Sequence, residues 1–287
     1  MVIADFLCEL AGNLPHEGGL CAATLKRYAG ELYSALRLVG HPIERDELFF
    51  ALEEVKRGLL NRPDKRKPAV PKSDVVYDLK LVTEYWDNQP ANNQLPLDVL
   101  RLKAVSLLMI AGLARPSDLA RLDLDSLQNK GSSLWIWVWR AKNSGAGYSA
   151  PMVIAKLPDS QASHCPYRAL LAYLEEVAPL RHANPSGSLS ATPVFISSQR
   201  PYGGLSADRV SVLVRDLLRS LGIDASTYSI RKRATTSALE AGVAPANVQA
   251  GGRWRSMDTM WKHYVRPSDP ASAGVAAISG NKRSRRR

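Results

Sequence analysis

A basic, proline-rich stretch at residues 61–73, NRPDKRKPAVPKS, most constrains how this chain can fold. It holds three prolines, five basic residues and one acid. Prolines oppose a helix, and the charge opposes burial in a core. The stretch therefore predicts a break between two domains. We assign residues 1–61 to a small N-terminal domain, 62–73 to a linker, 74–266 to the main domain and 267–287 to a polar, basic tail.

Residues 1–60 are predicted to form three short helices, because apolar residues recur there at helical spacing. The repeats are separated by Gly12-Asn13 and Gly18-Gly19, and then by Gly40-His-Pro42. Three short helices make a small bundle. Such a module can serve packing or oligomerisation, or it can clamp DNA, and the residues of this segment alone leave both possibilities open.

The main domain is predicted to be mainly helical with one small antiparallel sheet, an α+β arrangement. Val99 to Ala111 is almost continuously apolar, which is typical of a buried central helix. Leu134-Trp-Ile-Trp-Val-Trp139 alternates in bulk and is rich in strand formers, and Tyr148 to Ala155 predicts its hairpin partner. Further helices are predicted at 166–178, 206–221, 237–240, 245–250 and 257–265. We interpret Trp135, Trp137 and Trp139 as packing within the sheet rather than as a platform for stacked bases.

The charge balance indicates a polyanionic partner. The 287 residues carry a formal net charge of +11, which favours nucleic acid. No apolar run approaches the roughly 18–20 residues that a membrane-spanning helix needs. Three cysteines without a C-x-x-C pair, and five scattered histidines, predict neither a disulfide framework nor a metal site. We therefore expect an intracellular, DNA-associated protein without a metal or other cofactor.

A set of side chains suited to phosphodiester chemistry occurs in a workable order: Arg115, Lys142, Arg231, Trp254 and Tyr264. Attack on a phosphodiester needs a nucleophile, and fixed cations must balance the charge on the non-bridging oxygens. Arginine suits this role because its planar fork binds two oxygens and stays charged. Taken singly, Arg115 could pair with Asp118 or Asp123, Lys142 could be solvated, and Trp254 could be a core aromatic.

Five motifs in the same order resemble the boxes of the tyrosine recombinase (phage integrase) family. Gly112-Leu-Ala-Arg-Pro-Ser-Asp118-Leu resembles the first arginine box, and Arg140-Ala-Lys142 resembles the hairpin lysine. Tyr228-Ser-Ile-Arg231 is similar to the H-x-x-R box. The segment Ala250-Gly-Gly-Arg-Trp254 resembles the next box, in the tryptophan form of Cre-like catalytic domains. Residues 256–264 resemble the closing helix that carries the nucleophile. The resemblance covers about residues 74–266.

The resemblance implies a role for each of these residues. Arg115 and Arg231 would clamp the scissile phosphate, Lys142 would be the general acid, and Tyr264 would attack. Trp254 would pack on the phosphate or position Tyr264 through its indole N–H, and Asp118 would orient Arg115. Further DNA contacts are expected from four basic residues: Lys65, Arg66, Lys67 and Lys232.

The chain departs from the family pattern at two places in the site. Tyr228 stands where the family has a histidine, and tyrosine, with an ordinary pKa of about 10, is a poor general base near neutral pH. The interval from Trp254 to Tyr264 is one residue longer than usual, so His263 holds the usual position. We choose Tyr264 as the nucleophile, because histidine lacks the hydroxyl.

The resemblance implies a site-specific recombinase or integrase that acts on double-stranded DNA through a 3′-phosphotyrosine, with no metal or ATP. It also implies a homo-tetramer on two DNA sites, with a monomer or dimer off DNA. Two alternatives remain open at this stage. One is a type IB topoisomerase or telomere resolvase with the same chemistry. The other is a DNA-binding relative that has lost catalysis.

Overall fold

The computed structural model describes residues 75–140, 147–183 and 192–265, together with scattered positions between residues 27 and 40. The chain divides into two units, Met1–Ala69 and Val70–Arg287, and the break falls inside the predicted linker. In the first unit, the described positions are helical as far as Leu38. The rest of the predicted three-helix module lies outside the described residues, so the limits assigned to the domains stay predictions. All elements named below belong to the second unit.

The described part of the second unit holds eight α-helices and three short strands. The helices are α1 (Lys80–Asp87), α2 (Leu97–Ala111), α3 (Pro116–Leu119), α4 (Pro166–Ala183), α5 (Ala207–Ser220), α6 (Thr227–Glu240), α7 (Pro245–Gly251) and α8 (Met257–Tyr264). The strands are β1 (Gln128–Asn129), β2 (Ser133–Ile136) and β3 (Met152–Ala155). The predicted fold class, mainly α with a small antiparallel sheet, is confirmed.

Helix α2 lies at the centre of the unit. It packs against α4, α5, α6 and β3, and residues on all its sides are buried because its sequence is apolar almost throughout. Even Lys103, with only 1% of its surface exposed, is enclosed in this helix, and its ammonium lies 5.8 Å from the centre of the Trp86 ring. This helix carries the chain to Gly112 and so places the loop that precedes α3.

The three strands form an antiparallel sheet in the order β1-β2-β3. In β2, Leu134 and Ile136 face the core, whereas Trp135 is 36% exposed and pairs with the exposed Val153 of β3. Successive side chains of a strand point to opposite faces, so the core position of the leucine and isoleucine turns the tryptophan outward. Trp135 therefore packs beside Val153 on the outer face of the sheet and not in the core.

Two helices differ in length from their predicted bounds. Helix α6 begins at Thr227, ten residues before the predicted start at 237. The prediction missed the first turns because they bury polar and charged side chains, which hide the helical spacing of apolar residues. Helix α4 continues to Ala183 through Pro179. Proline has no N–H group, so the carbonyl of Glu175 lacks its helical donor. Both Pro179 and Glu175 are exposed, and water can bond to that carbonyl instead.

No helix in the described part of the chain combines the length and the apolar character that a membrane-spanning helix requires.

Candidate active site

Three parts of the second unit bring the predicted site residues together. Arg115 lies at the start of α3, and Tyr228 and Arg231, three residues apart, project from one face of α6. Trp254 lies in the turn between α7 and α8, and Tyr264 is the last residue of α8. Helix α6 contacts α2, α7 and α8, so it is the common support of the site.

Arg231 is the most enclosed member of the site, with no exposed surface. Its Nη1 donates to the carbonyl oxygen of Leu113, and its Nη2 donates to that of Gly252 at 2.7 Å. The guanidinium carbon lies 4.3 Å from the centre of the Trp254 ring and 4.9 Å from that of Tyr264. Burial, reinforced by the charge of Arg115, lowers the pKa of Arg231 to about 9, so the guanidinium remains protonated at neutral pH.

Asp118 is the only carboxylate among the described residues that contacts the site arginines, and it is 2% exposed. Its Oδ2 accepts hydrogen bonds from the backbone N–H of Arg115 at 3.0 Å and from Nη2 of Arg253 at 3.1 Å. The same oxygen lies 3.6 Å from Nη1 of Arg231. One buried carboxylate therefore contacts three arginines, two of which were predicted to bind a phosphate.

Tyr264 lies in a small apolar cluster of its own, apart from the main core, and is 4% exposed. Its hydroxyl accepts a hydrogen bond from Nη2 of Arg115 at 3.3 Å. Its ring meets the Trp254 ring edge to face, with the centroids 4.8 Å apart. The neighbouring His263 is exposed. The hydroxyl of Tyr264, rather than the imidazole, thus reaches the arginines.

Tyr228 and Tyr264 are adjacent, and their pKa values are shifted in opposite directions. The ring centroids are 5.3 Å apart. Burial raises the pKa of Tyr264, but this is outweighed by the hydrogen bond from Tyr228 and by the charges of Arg231 and Arg115, so the pKa of Tyr264 is lowered overall. Burial and the same hydrogen bond raise the pKa of Tyr228. Tyr264 is therefore the member of the pair that ionises first.

Several buried donors in the described part of the chain face no acceptor, and two of them belong to the site: Nε of Arg231 and Nε1 of Trp254. A buried N–H group without an acceptor is costly, and a native protein normally satisfies it with a partner, a water molecule or a ligand. Both belong to residues that are at most 5% exposed and lie against Tyr264. The donors and the positive charge of the site suit an anion.

A glycine allows Trp254 to occupy its place. A Cβ atom on Gly252 would lie 1.8 Å from Cζ3 of Trp254, so any larger residue there would displace the indole. The carbonyl oxygen of the same glycine accepts from Arg231. The absence of a side chain at Gly252 therefore leaves room for the Trp254 ring, and the backbone of the same residue binds Arg231.

Solved structures of DNA recombinases share this architecture. A XerH site-specific recombinase bound to palindromic difH substrate in a post-cleavage complex superposes with a TM-score of 0.58 and 13% identity, over 96% of this chain and 69% of that one. The XerH pre-cleavage complex has a TM-score of 0.51 and 12% identity, over 92% and 72% of the two chains. A lambda integrase (75-356) dimer bound to a COC' core site has a TM-score of 0.50 and 14% identity, over 92% and 79%.

This chain has the tyrosine recombinase fold. At such identities the similarity extends to the fold and not to the activity. No protein-family model matches the sequence. No curated protein sequence matches it either.

The tyrosine recombinase fold brings together six of the predicted residues: Arg115, Asp118, Tyr228, Arg231, Trp254 and Tyr264. The indole N–H of Trp254 does not bond to Tyr264, since it has no partner among the described residues. The aromatic ring, by contrast, contacts the tyrosine directly. In this state Trp254 supports Tyr264 by packing.

Of the remaining predicted residues, the structure describes only Lys232. Lys142 lies outside the described residues, as do Lys65, Arg66 and Lys67. Lys232 is only 6% exposed, and its ammonium lies 5.5 Å from the centre of the Tyr228 ring. This location is a poor one for contact with a DNA backbone, because the side chain is enclosed by the protein.

Sequence reasoning missed Arg253 as a member of the site. Arg253 lies within the segment Ala250–Trp254 that resembles the family pattern, but the pattern assigns it no role. The structure shows Arg253 bonded to Asp118 with 7% of its side chain exposed. Its position next to Trp254 was the one available signal. Among the described residues, no group of three or more His, Cys, Asp or Glu side chains could hold a metal ion.

Proposed function

We propose that this protein is a site-specific DNA recombinase or integrase that cleaves and rejoins strands through a covalent bond between Tyr264 and a 3′-phosphate. The observation that carries the proposal is the contact of the Tyr264 hydroxyl with Arg115 beside the buried Arg231. A nucleophile and two cations for the same phosphate then lie side by side. The fold, which solved recombinases share, supports the same reading.

In the proposed reaction, Tyr264 releases its hydroxyl proton to water. The phenolate oxygen then attacks the scissile phosphorus, and the bond from phosphorus to the 5′-oxygen breaks. The 5′-oxygen leaves with a proton, for which we propose Lys142 as the donor. One phosphodiester replaces another, so the later attack of a 5′-hydroxyl on the phosphotyrosine rejoins a strand without ATP. In this proposal no metal takes part, because the arginines supply the positive charge.

The positive groups of the site suit the charge that develops on the phosphate. Arg115 is 19% exposed at its side chain and can reach an incoming oxygen, while Arg231 supplies a fixed charge below. The unpartnered Nε of Arg231 and Nε1 of Trp254 are further donors for phosphate oxygens. Preorganised donors of this kind stabilise a transition state without reorganising during the reaction.

We further propose that Tyr228 activates Tyr264 by donating a hydrogen bond rather than by removing a proton. Its raised pKa keeps it protonated, and the lowered pKa of Tyr264 increases the fraction of phenolate at neutral pH. Electrostatic stabilisation of the phenolate then does what a general base does in a histidine-containing site. The substitution of histidine by tyrosine is compatible with catalysis on this account.

The proposed partner is double-stranded DNA, with four protomers acting on two sites. The net charge of +11 favours a polyanion. The XerH structures contain difH substrate, and the lambda integrase structure is a dimer on a core site. We propose the basic residues of the linker, Lys65, Arg66 and Lys67, as contacts to the DNA backbone.

The test is to trap the covalent intermediate. The protein is incubated with nicked duplexes whose core sequence is randomised, complexes that survive detergent are isolated, and the trapped DNA is sequenced. The adduct is then digested and mapped by mass spectrometry. We expect phosphate on Tyr264, no adduct with Tyr264→Phe, and normal adduct with Tyr85→Phe, a tyrosine on α1. Phosphate on another residue, or an adduct formed by Tyr264→Phe, would overturn the proposal.

The same experiment separates the alternatives. A recombinase exchanges strands between two copies of the trapped sequence. A type IB topoisomerase forms the adduct at many sequences and relaxes supercoils alone. An inactive relative binds the duplexes but forms no covalent complex at any pH.

A further inference from the structure

Arg253 is the arginine that holds Asp118 most closely through its side chain. Its Nη2 lies 3.1 Å from Oδ2 of Asp118, compared with 3.6 Å for Nη1 of Arg231 and 3.9 Å for Nη1 of Arg115. The carboxylate is 3% exposed at its side chain, so these ion pairs are poorly screened by water. Arg253 is therefore the nearest counter-charge to a carboxylate that also attracts the other two arginines.

Arg253 also joins two loops of the site. Its Nη1 donates to the carbonyl oxygen of Gly251 at 3.0 Å and to that of Gly112 at 3.3 Å. The loop that begins at Gly112 carries Leu113, and the turn that begins at Gly251 carries Gly252. The carbonyls of those two residues hold the guanidinium of Arg231. One side chain thus ties together both backbone segments that fix Arg231.

The backbone of Arg253 has a conformation that glycine adopts more readily. Its φ is +56°, in the left-handed region, where a residue with a Cβ is disfavoured. Such a conformation persists where the surroundings impose it. The backbone bonds that end α7, from Arg253 to Ala250 and from Trp254 to Gln249, impose this conformation, and the side-chain bonds hold the residue in it.

We propose that Arg253 is a positioning residue for strand cleavage, which holds the Asp118 carboxylate so that Arg115 and Arg231 stay directed at the phosphate. This inference rests on the proposed function. The three arginines and one carboxylate carry a formal charge of +2. Loss of Arg253 would leave +1 and free the carboxylate to draw Arg115 and Arg231 toward itself. Arg253 acts through these residues, since both its Nη atoms are bonded within the protein.

The experiment compares Arg253→Gln, Asp118→Asn and the double variant in single-turnover formation of the Tyr264 adduct. We expect Arg253→Gln to slow cleavage about 10- to 100-fold, the range that misplaced catalytic groups produce. Because the double variant regains the charge of +2, we expect it to cleave faster than Arg253→Gln alone. The midpoint of the pH profile should move to higher pH in Arg253→Gln and back in the double variant. Arg168→Gln, which removes an arginine on α4, is the control.

Rate losses that multiply in the double variant, or a pH midpoint that does not move, would overturn the inference. If Arg253→Gln does not fold, Arg253→Lys keeps a cation beside Asp118. Because its charge is kept, it is expected to retain the wild-type pH midpoint, and a midpoint that moves to higher pH would overturn the inference. The wild-type protein shows whether the proposed function fails or only the role of Arg253 fails. Absence of a Tyr264 adduct in the wild type overturns the proposed function, whereas a wild-type adduct with additive variants overturns only the role of Arg253.

Discussion

The hydroxyl of Tyr264 accepts a hydrogen bond from Nη2 of Arg115 at 3.3 Å, although the two residues are 149 positions apart. The bond links the end of α8 to the start of α3. It places the proposed nucleophile beside a cation that is partly open to solvent, with a second cation buried beneath the tyrosine ring.

Removal of Arg115 should affect the chemical step more than DNA binding. We expect Arg115→Gln to slow formation of the Tyr264 adduct by on the order of 100- to 1000-fold, because a charged donor to the transition state is lost. Single-turnover cleavage and a filter-binding measurement on the same duplex check this. Arg168→Gln is the matched control, since its partner Asp159 lies outside the site. Equal losses in binding and cleavage would contradict the prediction.

Removal of the Tyr228 hydroxyl should move the pH profile of cleavage. The hydrogen bond from Tyr228 lowers the pKa of Tyr264, so its loss in Tyr228→Phe raises that pKa. Cleavage rises as Tyr264 deprotonates; the midpoint should therefore shift to higher pH, with slower cleavage at neutral pH and convergence at high pH. Tyr85→Phe should keep the wild-type midpoint. A histidine-like role as general base predicts instead a loss at every pH.

Trp254 can be dissected into its ring and its indole N–H. Trp254→Phe keeps an aromatic face beside Arg231 and Tyr264 but removes the unpartnered Nε1 donor. We expect slower cleavage with a small change in stability. Trp254→Ala should in addition destabilise the protein by about 3–5 kcal/mol, because a large buried side chain is lost. Chemical denaturation and adduct formation measured on both variants test this, and similar stabilities for the two would be inconsistent with it.

Gly252 should tolerate no side chain. In Gly252→Ala the new Cβ would lie 1.8 Å from the Trp254 ring, so the indole must move and Arg231 loses its neighbour. We expect an altered near-ultraviolet circular dichroism signal and strongly reduced cleavage. Gly203→Ala is the control, since a Cβ there meets nothing within 4 Å. An unchanged signal in Gly252→Ala would contradict the described packing.

DNA binding should weaken with salt in proportion to the phosphate contacts. The logarithm of the binding constant falls by roughly 0.9 per contact against the logarithm of salt concentration. If Lys65, Arg66 and Lys67 contact the backbone, each alanine substitution should reduce that slope by about 1. Titrations at several salt concentrations measure it. An unchanged slope would assign these residues to a solvated linker.

Much of the fold was predictable because its signals are local. The apolar run that became α2, the alternation of β2, and the bounds of α5 and α8 depend on side chains a few positions apart. The first turns of α6 were missed because the corresponding signal is not local. Their buried residues include Arg231 and Lys232, whose burial depends on partners elsewhere in the chain.

The order of the site residues, and the chemistry that their side chains allow, can be recognised in the sequence alone. Three features became visible only in the folded chain: Trp135 faces outward, Lys232 is enclosed, and Arg253 shares Asp118 with the other arginines. The physical reason is distance along the chain. Periodicity reports neighbours within a few residues, whereas the contact of Arg253 with Asp118 spans 135 positions and exists only once α2, α6 and α7 have packed together.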